Sequence, residues 1–217
     1  MQTRLLVLLG VLVVALCLAP APALADTITF DLTVPNTALV GFTSPYASVL
    51  VNRTSTTVAT ITFTGLTSGA FTYFFGSAQA ADVNVNATTF TVGSLGCTPA
   101  PTLTCTASNG GANQADSFGN FNLTIDLFDG FNSRASSITF TLTNTSGTWA
   151  SASNVLIANA GGSTAAAHIF ATSATCTGAC VTGFAGNGAI VPEPGTLVLF
   201  GSGLLGIAAV IRRRFSA

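Results

Sequence analysis

Apolar and polar residues alternate one for one in four stretches of this chain, and a period of two suits a strand with one buried face. From Ser137 to Thr143, Ile138, Phe140 and Leu142 stand against Ser137, Thr139, Thr141 and Thr143. From Asn120 to Leu127, Phe121, Leu123, Ile125 and Leu127 stand against Asn120, Asn122, Thr124 and Asp126. Thr27 to Val34 does the same with Ile28, Phe30, Leu32 and Val34, and Thr60 to Thr64 with Ile61 and Phe63. Each predicts a half-buried strand of an antiparallel sheet. Shorter candidates are Ala47 to Val51, Phe71 to Phe75, Val83 to Val92, Val155 to Ala158 and His168 to Ala171. Turns are expected at Asn109-Gly110-Gly111 and Asp129-Gly130. No amphipathic helix of normal length interrupts the series. About eight short strands with one apolar face each require two sheets packed face to face. The expected fold is all-β, an antiparallel β-sandwich, jelly-roll-like or Ig-like.

Charge is scarce, at 6% of residues, where roughly a quarter is usual. All 6 basic residues are Arg, and between Asp26 and Ile190 only Arg53 and Arg134 face Asp26, Asp31, Asp82, Asp116, Asp126 and Asp129. A mildly acidic middle without a basic patch excludes nucleic acid as a partner.

The two ends read as targeting segments. Arg4 precedes an apolar run from Leu5 to Leu18, Pro20 and Pro22 break it, and Ala23-Leu24-Ala25 forms a small-residue cleavage site. This is a secretory signal peptide over residues 1–25, cut between Ala25 and Asp26 by signal peptidase after entry into the general secretion machinery. At the far end, Val191-Pro192-Glu193-Pro194 leads into Gly195 to Ile211, apolar or small throughout, and then Arg212-Arg213-Arg214. The apolar stretch suits a single transmembrane helix, with the Arg cluster as its cytoplasmic stop-transfer signal. A β-sandwich ectodomain over 26–190 is therefore expected between two membrane-directed ends, with residues 191–217 as its tail.

The order of parts in that tail, a Pro-Glu-Pro motif, a hydrophobic helix and a terminal Arg cluster, resembles the PEP-CTERM sorting signal. The resemblance covers Val191 to Arg214. It implies that Pro192, Glu193 and Pro194 are the recognition motif of an exosortase, an integral-membrane cysteine transpeptidase-like enzyme of Gram-negative bacteria that make exopolysaccharide, and that the tail is removed. Two prolines keep the motif extended and accessible, and Glu193 is the lone charge within it. The implied route runs from transient inner-membrane anchoring to the cell surface or the extracellular space.

Cys17 leaves with the signal peptide, so the mature chain keeps Cys97, Cys105, Cys176 and Cys180. An even number in an exported chain points to disulfides. Of three connectivities, closure of the smallest loops favours Cys97–Cys105 and Cys176–Cys180. Neither pair has zinc-ligand spacing.

An enzyme is not expected, and no cofactor is implied. His168 is the only histidine and there is no lysine. Gly161-Gly162-Ser163-Thr164-Ala165 does not complete a nucleophile elbow, and no carboxylate pair suits glycoside cleavage. Asp126, Asp129 and Asn132 with Gly130 offer oxygen ligands for calcium, but the spacing is not that of an EF-hand loop and a turn accounts for the Asp-Gly pair. No metal is assigned. The expected role is structural or adhesive, in a biofilm or exopolysaccharide matrix. The alternative is a carbohydrate-binding module, with Tyr46, Tyr73 and Trp149 as stacking candidates. Core packing between the sheets is the competing place for Trp149. Strand faces rich in Thr and Asn offer a second kind of contact along a polysaccharide.

Overall fold

The alternating segments become the strands of two antiparallel sheets. The structure, a computed structural model, describes residues 25–99, 103–128, 134–176 and 179–188. Among them are 13 strands and no α-helix. Sheet A runs β1 (Asp26–Leu32), β3 (Ala47–Arg53), β4 (Val58–Gly65), β11 (Ser137–Asn144) and β8 (Phe90–Thr98), in that order. Sheet B runs β2 (Val34–Pro35), β13 (Val181–Gly186), β12 (Ala165–Thr172), β7 (Ser77–Val83), β10 (Asn120–Leu127) and β9 (Cys105–Gln114). Beside β12 lies β6 (Phe71–Phe75), which carries the two-residue β5 (Thr67–Ser68).

The inward residues interlock as their period dictates. Val49, Ile61, Phe140 and Leu142 from sheet A share one core with Leu123, Ile125, Ala167 and Ile169 from sheet B. Phe63 sits at its centre, edge-on to Phe75 and stacked along Phe140, with ring centroids 6.1 and 6.5 Å away. Burial of such side chains contributes roughly 1.5–3 kcal/mol each. The short turn Thr37–Leu39 sends Leu39 into this core beside β13. At Gly183 a Cβ would meet Asn36 Oδ1 at 2.6 Å and Leu39 Cγ at 2.9 Å, so glycine allows that close approach.

Several expectations are corrected by tertiary context. Thr27 to Val34 is not one strand: the chain leaves sheet A after Leu32 and joins sheet B at Val34, with Thr33 N–H donating to the Gly186 carbonyl at 3.1 Å. Ile28 stays 39% exposed because β1 is an edge strand. Asn109-Gly110-Gly111 is not a turn but lies inside β9, where the register against β10 slips between Phe121 and Leu123. Gly110 has φ +82° there, a conformation glycine adopts freely. Val83 to Val92 divides between the end of β7 and the start of β8, and the Val85–Leu156 bridge spans the gap. That isolated bridge is also all the pairing found in Val155 to Ala158.

Around β12, sheet B is buried on both faces, which period-two alternation does not announce. Ala165 and Ala167 of β12 face the main core, whereas Ala166 joins a second cluster with Ala115, Phe118 and Phe121. The Asp116–Phe118 turn lays Phe118 over Gly186, where a Cβ would meet the ring at 2.5 Å. Asn36 Nδ2 donates to Asp116 Oδ2 at 2.6 Å and ties this turn to the residue that follows β2. The transmembrane helix expected over Gly195 to Ile211 lies outside the described residues; among those described, no helix is long and apolar enough to cross a membrane.

Candidate functional site

The sorting motif Pro192, Glu193 and Pro194, and the stop-transfer residues Arg212, Arg213 and Arg214, lie outside the described residues. Of the signal-cleavage pair, Ala25 is exposed and Asp26 opens β1. Asp26 is held at once. Arg53 Nε–H donates to its Oδ1 at 2.6 Å and the Ala152 N–H to its Oδ2 at 2.7 Å. The Ala152 N–H and then the Arg53 guanidinium hold the carboxyl below its ordinary value, against the opposing effect of burial.

The four cysteines form two local disulfides. Cys97–Cys105 has its Cα atoms 6.2 Å apart and joins the end of β8 to the start of β9. Cys176–Cys180 has its Cα atoms 5.4 Å apart and closes the connection between β12 and β13.

The aromatic residues nominated for glycan contact are all core residues, which corrects that expectation. Tyr46, Tyr73 and Trp149 are each 1% exposed. Their polar ends are spent on the protein itself, as buried amphipathic rings require. Tyr46 hydroxyl donates to the Phe42 carbonyl at 2.9 Å, Tyr73 hydroxyl to the Thr43 carbonyl at 2.7 Å, and Trp149 Nε1–H to the Asn86 carbonyl at 2.8 Å. Burial pushes the Tyr73 hydroxyl up to about 12 and Tyr46 in the same direction. None offers a face for a sugar ring.

His168 is a packing residue. Its ring stacks on Phe184 at 4.6 Å and 10°, and meets Phe170 edge-on at 5.4 Å. Burial lowers its pKa, opposed by a hydrogen bond with the Ala78 backbone. Its Nδ1 has no hydrogen-bond partner among the described residues, so none of their serines or carboxylates orients the ring through that atom. Of the calcium candidates, Asp126 accepts the Gln79 N–H at 2.8 Å, while Asp129, Gly130 and Asn132 lie outside the described residues. No group of three or more metal-ligating side chains occurs among the described residues.

Asp82 escaped attention in the sequence because its neighbours reveal nothing of its surroundings. It is fully buried in sheet B, paired in register with Thr124 and Ala166. Thr124 Oγ1 donates to Asp82 Oδ1 at 2.5 Å, and Oδ2 has no partner among the described residues. Burial, with the Asp126 charge adding to it, pushes this carboxyl up to about 8.

Among the described residues, two solvent-facing surfaces are rich in polar groups. A shallow depression of about 400 Å³ lies between the Val85–Thr88 segment, Asn144, Ser146–Thr148 and Ile157. Asn144 Oδ1 organises its floor by accepting the Ser146 and Gly147 N–H groups at 3.0 and 2.9 Å. The second is the outer face of sheet A. Thr60 pairs with Thr141 and Thr62 with Thr139, with hydroxyl oxygens 3.5 and 3.2 Å apart. On the other side of β11, Gly93 and Gly96 of β8 stand opposite Thr141 and Thr139.

Residues 191–214 match the family model for the PEP-CTERM protein-sorting motif. The motif marks the chain as an exported protein sorted by an exosortase. No curated protein and no solved structure matches the chain.

Proposed function

We propose that the domain is a non-catalytic structural or adhesive component of the Gram-negative cell surface or extracellular matrix. The general secretion machinery exports the chain, signal peptidase frees Asp26, and a helix over Gly195 to Ile211 holds the product in the inner membrane. Exosortase then acts at Pro192-Glu193-Pro194 and releases the sandwich outward. The observation that carries this reading is the sorting motif over residues 191–214, placed directly behind a domain with two disulfides. Disulfides persist in oxidising compartments, in keeping with a periplasmic or extracellular destination. The non-catalytic part rests on His168, which stacks on Phe184 and meets Phe170 edge-on instead of serving a nucleophile.

Cell fractionation with intact-mass measurement tests the route. The protein recovered from its host should begin at Asp26, lack the residues beyond the motif and sit in the surface or matrix fraction. Recovery of the uncut chain from the inner membrane alone would overturn it. The carbohydrate-binding alternative is favoured by one observation, the hydroxyl ladder of Thr60, Thr62, Thr139 and Thr141 on the outer face of sheet A, and no longer leans on Tyr46, Tyr73 or Trp149.

A further inference from the structure

The folded domain is held in place almost up to the residues that exosortase reads. Asn187, the residue after β13, is clamped. Its Oδ1 accepts the Thr164 and Ala165 N–H groups at 3.0 and 3.1 Å, and its own N–H donates to the Ala165 carbonyl at 3.3 Å. At Gly188 a Cβ would collide with the Gly162 carbonyl and lie 2.5 Å from Ser163 Oγ, so the chain leaves flush against that loop. Only Ala189, Ile190 and Val191 separate Gly188 from Pro192. Even at full extension, the four Cα steps between them span no more than about 14 Å. A single α-helix with its side chains is about 10–12 Å across. An enzyme that grips the motif therefore has room for little more than one layer of its own structure before it meets the domain.

What it meets is a rim already fixed by hydrogen bonds. The loop 159–163 is closed by Asn159 N–H donating to the Ser163 carbonyl at 2.9 Å. Asn159 Oδ1 accepts the Gly161 and Ser163 N–H groups at 2.9 and 3.0 Å. Its Nδ2 donates to the Phe118 and Asn120 carbonyls, both at 3.0 Å, and so fastens the loop to the start of β10. Ile157 stands in the same network. Its N–H donates to the Asn84 carbonyl and the Asn84 N–H to the Thr164 carbonyl, each at 3.0 Å, and Thr164 is one of the residues that Asn187 clamps. Ile157 is 50% exposed, and Ala158 and Ala160 are exposed with it. A lone isoleucine in water is ordinary; this one adjoins the exit of the tail on a rigid support.

We infer that exosortase takes this substrate with the sandwich already folded and seated against it, through the rim of Ile157, Ala160 and Gly162 beside Gly188, a conclusion that rests on the exosortase route proposed above. The clamp on Asn187 fixes where the motif begins relative to the rim. A rim held by its own hydrogen bonds loses little freedom on docking, and Ile157 supplies apolar area to the contact. The domain thereby becomes part of what the enzyme recognises, in addition to Pro192-Glu193-Pro194.

Pulse–chase of the full chain in its host, with precursor and product separated by intact mass, tests this. Ile157→Asp should slow tail removal about fivefold, the equivalent of losing half an isoleucine's burial. A flexible Gly-Ser spacer of about ten residues inserted between Gly188 and Ala189 frees the motif from the domain. Behind that spacer, wild type and Ile157→Asp should be processed at one rate. A benzophenone amino acid in place of Ala160 should cross-link to exosortase, and the adduct should disappear when the spacer is present. The same group in place of Ala174, exposed beyond the other end of β12, should give no adduct. An Ile157→Asp chain processed at the wild-type rate, a defect that persists behind the spacer, or an adduct from position 160 with lipid alone would each overturn the inference. So would equal cross-linking from both positions. A wild-type chain that keeps its tail defeats the exosortase route itself, whereas normal tail removal without any adduct defeats the docking alone.

Discussion

Arg53 Nε–H donates to the Asp26 carboxylate at 2.6 Å, tying the last residue of β3 to the first residue of β1. The residue that signal cleavage is expected to expose is thus the one that pins the edge strand of sheet A. Because the folded carboxyl titrates below its ordinary value, the unfolded chain takes up the proton first on acidification. The contribution is present above the ordinary carboxylate value and is lost as pH falls through the folded one. Asp26→Asn should flatten this acid limb, read from denaturation midpoints along an acid pH series. An unchanged limb would show that the pair contributes nothing.

Asp82 has the opposite sign. Its folded pKa is pushed up to about 8, so the folded state keeps a proton that the unfolded chain releases. Stability from this group is complete below the ordinary carboxylate value and declines as pH rises toward about 8. Asp82→Asn keeps the size and a group able to hydrogen-bond Thr124, and removes the titration. The variant should gain on the wild type as pH increases across that window, in thermal melts at matched ionic strength.

Trp149→Ala should act on stability, not on ligand binding. The ring is buried and its N–H satisfies the Asn86 carbonyl. Removal of a buried Trp costs about 3–5 kcal/mol, to be read as a lower denaturant midpoint. Trp149→Phe should cost less, since most of the packing survives and mainly the hydrogen bond is lost. A Trp149→Ala variant with wild-type stability would contradict this placement.

Both disulfides span short loops, with sequence separations of 8 and 4. Each therefore stabilises by about 2–3 kcal/mol at most on the chain-entropy estimate. Paired Cys→Ser changes at either site should lower the denaturant midpoint without abolishing the fold. The mature wild-type protein should show no thiol to an alkylating reagent until reduced.

Much of the strand content was legible because it is a local property. The pattern of β11 appears as read, and Asn120–Leu127 and Phe71–Phe75 have the expected bounds, but in β10 Phe121 packs in the second cluster, apart from Leu123, Ile125 and Leu127, and Thr124 is buried. The failures share one cause. Thr33 marks a change of sheet, and Gly110 sits within a strand rather than at a turn, because partners far away in the chain decide both. Buried Ala166 and Thr124 could not be told from surface positions, since the cover over sheet B arrives from the Ala115–Phe118 segment.

By itself the sequence determined the all-β character and the address of the chain. Strand alternation, the cysteine spacing and the Pro-Glu-Pro tail are each written in a few consecutive residues. Only the tertiary structure decided which polar and aromatic groups face a ligand. It drew Tyr46, Tyr73 and Trp149 inward, buried Asp82 completely, and aligned Thr62 with Thr139 across 77 residues of chain. Burial and register depend on pairing between distant strands, and no local pattern encodes that.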